Sequence, residues 1–174
     1  MQDENMTQHE LLVSWAKVMV EHALPAWEDF PTIELYMDQV VILIAQYLSH
    51  MGPMLDEDKP VTPAMINNYV KMGLLAPPIK KRYNRNHLAC LIMVCVLKRS
   101  LTMSAIQKLL SPGMSEEQIH SLYESFRINR RRGIEYVAQQ VFEWSGEIFR
   151  NDAEGTEEQL VIRLAVMASL FKIS

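Results

Sequence analysis

The sequence predicts an all-α protein, and three observations carry that prediction. Residues that cap helix N-termini recur along the chain, followed by apolar residues at helical spacing. Prolines and glycines are few, 8 and 6 in 174 residues, and they cluster between those segments. Apolar residues make up 49% of the chain, which supplies a globular core.

In chain order, Thr7-Gln8-His9-Glu10 is a capping box. It opens a helix bearing Leu11, Trp15, Val18 and Met19 that ends before Pro25. Asp29-Phe30-Pro31-Thr32 opens a second helix, expected to run to about Ser49 with Leu35, Tyr36, Val40, Ile44 and Tyr47 on one stripe. A loop from Met51 to Val61 carries Gly52, Pro53 and Pro60. Thr62-Pro63 pairs a cap residue with proline at the first helical position, and that helix runs to Met72, with Gly73 as its left-handed end. Ala76-Pro77-Pro78 blocks continuation, and Ile79 to Tyr83 reads as short, basic and extended. Asn84 caps a helix to about Arg99, and Thr102 caps a short one ending near Pro112. Ser115-Glu116-Glu117-Gln118 and Thr156-Glu157-Glu158-Gln159 are further capping boxes. Gly133 is expected to break the helix that follows Ser115 into two. The last helix, Leu160 to Ile173, is apolar almost all round. It either completes the core or forms half of a homodimer interface. The expected organisation is an N-terminal helix and linker over 1–30, a central segment over 31–112 and a C-terminal helical region over 113–174.

The charge is distributed unevenly. The net charge is −4, yet no acid occurs between Asp58 and Glu116, a stretch that holds nine bases. The rest of the chain carries eight bases against all 21 acids. A basic middle in an acidic protein points to one cationic face. On the helix from Pro63 to Met72, Ile66, Tyr69 and Val70 share one side. Ala64, Asn67, Asn68 and Lys71 share another, at i, i+3, i+4, i+7. Asparagine can pair bidentately with an adenine edge, and lysine can meet phosphate. Lys80-Lys81-Arg82-Tyr83, on a proline-stiffened loop, suits a wing on the phosphate backbone, and Arg85 adds a further contact. A solvated polar face is the alternative reading of both features.

The same segment resembles the DNA-binding domain of MerR-type regulators. Tyr69-Val70-Lys71-Met72-Gly73-Leu74-Leu75, Lys81-Arg82-Tyr83, His87-Leu88-Ala89-Cys90-Leu91 and Leu101-Thr102-Met103-Ser104-Ala105-Ile106 follow that family's spacing over about 45 residues. The resemblance implies a winged helix-turn-helix core, with a C-terminal helical extension, in which Tyr69, Lys81, Arg82 and Tyr83 approach the DNA backbone. Asn67 stands where the family usually has arginine, the 51–61 loop is longer than the family's turn, and no long dimerising helix is evident. Over most of the chain the sequence also resembles a bacterial family defined only as a domain of unknown function, eighteen-thirty-six. Ile33-Glu34-Leu35-Tyr36-Met37-Asp38-Gln39-Val40 and Thr62 to Lys71 carry that resemblance.

Other chemistry finds little support in the sequence. There is no phosphate-binding glycine loop, nucleophile elbow or zinc-protease motif, so an enzyme is not expected. His87 and Cys90 share a helix face but Cys95 lies off it, and both cysteines sit among apolar residues, so no metal or other cofactor is expected. Arg130-Arg131-Arg132 reads as a charged helix terminus. No apolar run reaches the roughly 18 residues of a membrane span. The acidic start, Met1 to Asn5, is unlike a signal peptide, which makes the cytoplasm the expected location. Two functions fit: a DNA-binding transcriptional regulator, homodimeric on double-stranded DNA, or a helical protein-interaction module of winged-helix ancestry that does not bind DNA.

Overall fold

In the computed structural model, residues 23–49, 61–150 and 162 are described. The capping boxes at Thr7 and Thr156, most of the 51–61 loop and nearly all of the last helix lie outside them. Among the described residues, five α-helices follow one 3₁₀ turn at Trp27–Asp29: α1 (Met37–Leu48), α2 (Pro63–Lys71), α3 (Arg85–Leu97), α4 (Met103–Leu109) and α5 (Glu116–Arg150). Among the described residues the only β pairing is two isolated bridges, Leu35 with Tyr83 and Ile79 with Arg82. The all-α class therefore holds.

Local chemistry starts most of these helices. The Thr62 hydroxyl accepts from the Met65 N–H at 3.3 Å, ahead of Pro63. Thr102 caps α4 in the same way, accepting from Ala105 at 3.2 Å. Ser115 and Gln118 cap reciprocally: Ser115 N–H donates to Gln118 Oε1 at 2.8 Å, and Gln118 N–H donates to Ser115 Oγ at 3.3 Å. At α3 a histidine takes the usual place of Glu or Gln. His87 N–H donates to Asn84 Oδ1 at 3.3 Å, and His87 Nδ1 lies 3.1 Å from the Asn84 backbone nitrogen. Gly73 ends α2 at φ +71°.

Two elements depart from the sequence expectation. α1 starts at Met37, not near Thr32, because Leu35 is committed to Tyr83. Leu35 N–H donates to Tyr83 O at 2.8 Å, and Tyr83 N–H donates to Leu35 O at 2.9 Å. With both backbone groups engaged, Leu35 has none left for a helical turn. Gln39 then caps the Tyr36 N–H at 2.9 Å and α1 begins. Gly133 does not break its helix: α5 runs through it for 35 residues, about 52 Å at 1.5 Å per residue. A helical glycine costs about 1 kcal/mol against alanine, too little to stop a helix already propagating on both sides. An Arg131–Glu135 ion pair of 2.8 Å spans the site.

The chain divides into two units, Leu24–Asn129 and a second comprising Met1–Ala23 with Arg130–Ser174. The first holds the core described here. α3 is its axis: every residue from His87 to Cys95 is buried, so the helix is covered on all sides. α1 packs on α2 and α3. Val40, Ile44, Ile66, Leu91, Ile106 and Tyr123 are each fully enclosed. The stretch before α1 belongs to this core, since Leu24, Trp27 and Phe30 are buried and Tyr123 Oη donates to Pro25 O at 2.7 Å. Among the described residues, no helix is long and apolar enough to cross a membrane.

Candidate nucleic-acid interface

The α2 helix presents the face its spacing predicts. Ile66 and Tyr69 are buried, while Pro63, Ala64, Asn67, Asn68 and Lys71 are exposed. Its C-terminus is tied to α4, where Gln107 Nε2 donates to Met72 O at 2.7 Å. A Cβ on Gly73 would lie 3.6 Å from Pro112. The exposed face is thus carried on a helix capped by Thr62 at its N-terminus and tied to α4 by Gln107 at its C-terminus.

The basic segment forms a tight hairpin. Lys80 and Lys81 both have positive φ, +50° and +64°, and the Arg82 N–H donates to Ile79 O at 2.9 Å. Positive φ at both central residues defines a type I′ turn, the two-residue turn that matches strand twist. Asparagine and glycine are usual at these positions; lysine at both carries steric strain. The Tyr83–Leu35 pairing holds the base of the hairpin. Lys80, Lys81 and Arg82 are exposed, and no ion pair among the described residues neutralises them or Lys71. Arg82 Nη2 donates to the Tyr36 hydroxyl at 3.2 Å, with the guanidinium 5.1 Å from the Tyr36 ring centroid. Ile79, 64% exposed, flanks the turn.

Two expected contact residues, Tyr69 and Tyr83, face inward instead, and a third, Arg85, is half-buried. Tyr69 and Tyr83 are 5% and 2% exposed. Burial pushes the Tyr69 phenol up to about 12, with Cys95 nearby adding to the shift, and raises Tyr83 as well. Rings this deep pack the core beneath the surface and do not present themselves to a phosphate. Arg85 is half-buried, its guanidinium 5.9 Å from the Trp27 ring centroid. The Trp27 ring stacks on His120 at 4.5 Å, and the Trp27 backbone N–H donates to Glu124 Oε1 at 3.2 Å. Arg85 is therefore engaged within the fold. The residues left exposed are Asn67, Asn68 and Lys71 on α2, and Lys80, Lys81 and Arg82 on the turn.

Beneath the hairpin lies His87, 5% exposed, edge-on to Tyr83 at 5.3 Å between centroids. Among the described residues, neither its Nε2 nor the buried Oδ1 of Asn86 makes a well-formed hydrogen bond. Burial lowers the imidazole pKa, against the opposing pull of the Pro77 and Ala76 carbonyls and of Glu34. The two cysteines are free and buried, with thiols pushed up by burial to about 12 for Cys90 and about 11 for Cys95. At neutral pH they are protonated and behave as small apolar side chains. No group of three or more His, Cys, Asp or Glu side chains gathers as a metal would require, among the described residues.

Sequence reasoning did not single out Tyr36 as part of this surface. It lies 46 residues from Arg82, so no local spacing connects them. The Leu35–Tyr83 bridge brings the two segments side by side.

No curated protein and no solved structure is significantly similar to the chain. The matching family model covers residues 25–126, nearly the whole of the Leu24–Asn129 unit with its hairpin, helix face and core. The chain belongs to the family described as Domain of unknown function (DUF1836).

Proposed function

We propose that the protein is a DNA-binding transcriptional regulator with a MerR-like winged helix-turn-helix core. In this reading α2 enters the major groove, and the hairpin around Lys80 and Lys81 rests on the phosphate backbone. One observation carries it: Lys71, Lys80, Lys81 and Arg82 stand exposed, with no neutralising carboxylate among the described residues, in a stretch that contains no acid at all. Asn67 and Asn68 on the exposed side of α2 supply groups able to read base edges. The 35-residue helix α5 supports a homodimer, since a MerR-like protein is expected to pair through a long helix after the wing.

Fluorescence anisotropy with a labelled random duplex, at low and at physiological salt, tests the reading. Binding should fall steeply as salt rises, because each phosphate contact releases counterions. Replacing Lys80, Lys81 and Arg82 together by Ala should weaken binding to all sequences alike and lower the salt slope by about one unit per residue. Unchanged affinity in that variant refutes the wing. No binding at low salt refutes DNA binding altogether and leaves a protein-interaction module as the function to pursue by pull-down.

A further inference from the structure

We propose that Tyr36 is a positioning residue of this interface and that it acts through Arg82; the proposal rests on the DNA-binding reading above. Tyr36 is 53% exposed, although most aromatics of this unit are buried. It is not needed to hold the hairpin, whose base is already pinned by two backbone hydrogen bonds between Leu35 and Tyr83. Its ring and hydroxyl are both turned to one group, the Arg82 guanidinium. An exposed contact of that kind adds little to stability. It does restrict a side chain with much rotamer freedom. Of the five N–H donors of Arg82, the Tyr36 hydroxyl takes one and leaves the others for an incoming ligand. The guanidinium keeps its charge and is held in one orientation, which suits a planar, forked donor meeting a phosphate. Ordering it in advance removes an entropy cost otherwise met on binding. The interface thereby extends beyond the helix-turn-helix and its wing to the 33–36 segment, which precedes α1.

The test is a double-mutant cycle on DNA affinity, read by anisotropy on a random duplex at several salt concentrations. It compares the full-length wild type, Tyr36→Ala, Tyr36→Phe, Arg82→Ala and the Tyr36→Ala/Arg82→Ala pair, each with its melting temperature. Tyr36→Ala should weaken binding about two- to fivefold, the scale of an exposed cation–π contact, without moving Tm. Tyr36→Phe keeps the ring and should restore most of the affinity. In the Arg82→Ala background, Tyr36→Ala should change nothing further. Wild-type affinity in Tyr36→Ala, additive losses in the pair, or a loss that tracks a lower Tm would each overturn the proposal. Failure of the wild type to bind at low salt overturns the DNA-binding reading and this inference with it. That failure is seen before any substitution is made, so the two are told apart.

Discussion

If the proposed DNA-binding role holds, Lys80 and Lys81 set stability against binding, and exchanging them for Asn and Gly should separate the two. Both lysines hold positive φ, at +50° and +64°, in a type I′ turn closed by the 2.9 Å bond from Arg82 to Ile79. A left-handed L-residue costs roughly 1–2 kcal/mol. Asn at the first position and Gly at the second relieve most of this, since Asn-Gly is the preferred pair for such a turn. Glycine returns about 0.5–1 kcal/mol through its freer unfolded state. With both positions relieved, the net gain should be about 1–3 kcal/mol, which raises Tm by at least about 4 °C in a unit of roughly this size. Two charges are lost at the same time. Each phosphate contact contributes about fivefold to affinity at physiological salt, so the double variant should bind about 25-fold more weakly. Thermal unfolding by circular dichroism and anisotropy on the same preparations measure both quantities. A lower Tm would mean that the strain assigned to the turn is not there. A higher Tm with unaltered affinity would remove the two lysines from the interface. A destabilised fold cannot produce the expected pair of results, because it would lower both.

Three other outcomes follow from the core and the caps. Thr62→Ala removes the hydroxyl that caps α2 and should cost about 1 kcal/mol in denaturant unfolding. Gly133→Ala introduces a Cβ with nothing within 4 Å and should stabilise α5 by up to about 1 kcal/mol, seen as greater helicity or a raised Tm. His87 should make stability depend on pH. Its folded pKa lies below the usual value of about 6.5, so the folded state binds fewer protons than the unfolded one. The contribution is complete above about pH 6.5 and is lost as pH falls through that value towards the lower folded pKa. Unfolding free energies at pH 7.5 and 5.5 should differ in that direction. A His87→Gln variant should flatten the difference, and an equal slope in both proteins would assign it elsewhere.

What could be read from the sequence was what is decided within a few residues. Thr62, Asn84, Thr102 and Ser115 cap the helices that follow them because a cap needs only its own first turn. The exposed polar face of α2 was legible for the same reason, since helical spacing alone separates Asn67, Asn68 and Lys71 from Ile66 and Tyr69. The misplaced features depend on distant partners. The start of α1 moved because Leu35 pairs with Tyr83. Tyr83 was expected at the surface beside its basic neighbours, but in an extended segment adjacent side chains point to opposite faces, so an exposed Arg82 sends Tyr83 inward. Arg85 lies over Trp27, a residue nearly 60 positions earlier, which no motif in its own segment announces.

The buried middle of α3, His87 to Cys95, explains how a small unit can present a rigid basic surface. A helix enclosed on every side can contact no ligand with its middle, and its role is to fix what packs around it. α1 lies against α3, and Tyr83 and His87 join its N-terminus to the hairpin. The hairpin's strained lysines are tolerable because that base is over-determined: two backbone bonds to Leu35, the Asn84–His87 cap, and a buried ring on Tyr83. Positive φ at a non-glycine persists only where the surroundings impose it. If strain and charge are coupled in this way, loosening the base should weaken binding without removing any basic residue. Leu35→Ala, which leaves every lysine and arginine in place, would truncate a side chain only 6% exposed at the bridge. It should cost about 2–5 kcal/mol of stability. Measured below its own melting transition, so that the chain is still folded, it should also bind DNA more weakly while keeping the wild-type salt slope. An unaltered slope with reduced affinity would mark lost pre-organisation. A reduced slope would mean that the charges themselves had left the interface, and the coupling argued here would be wrong.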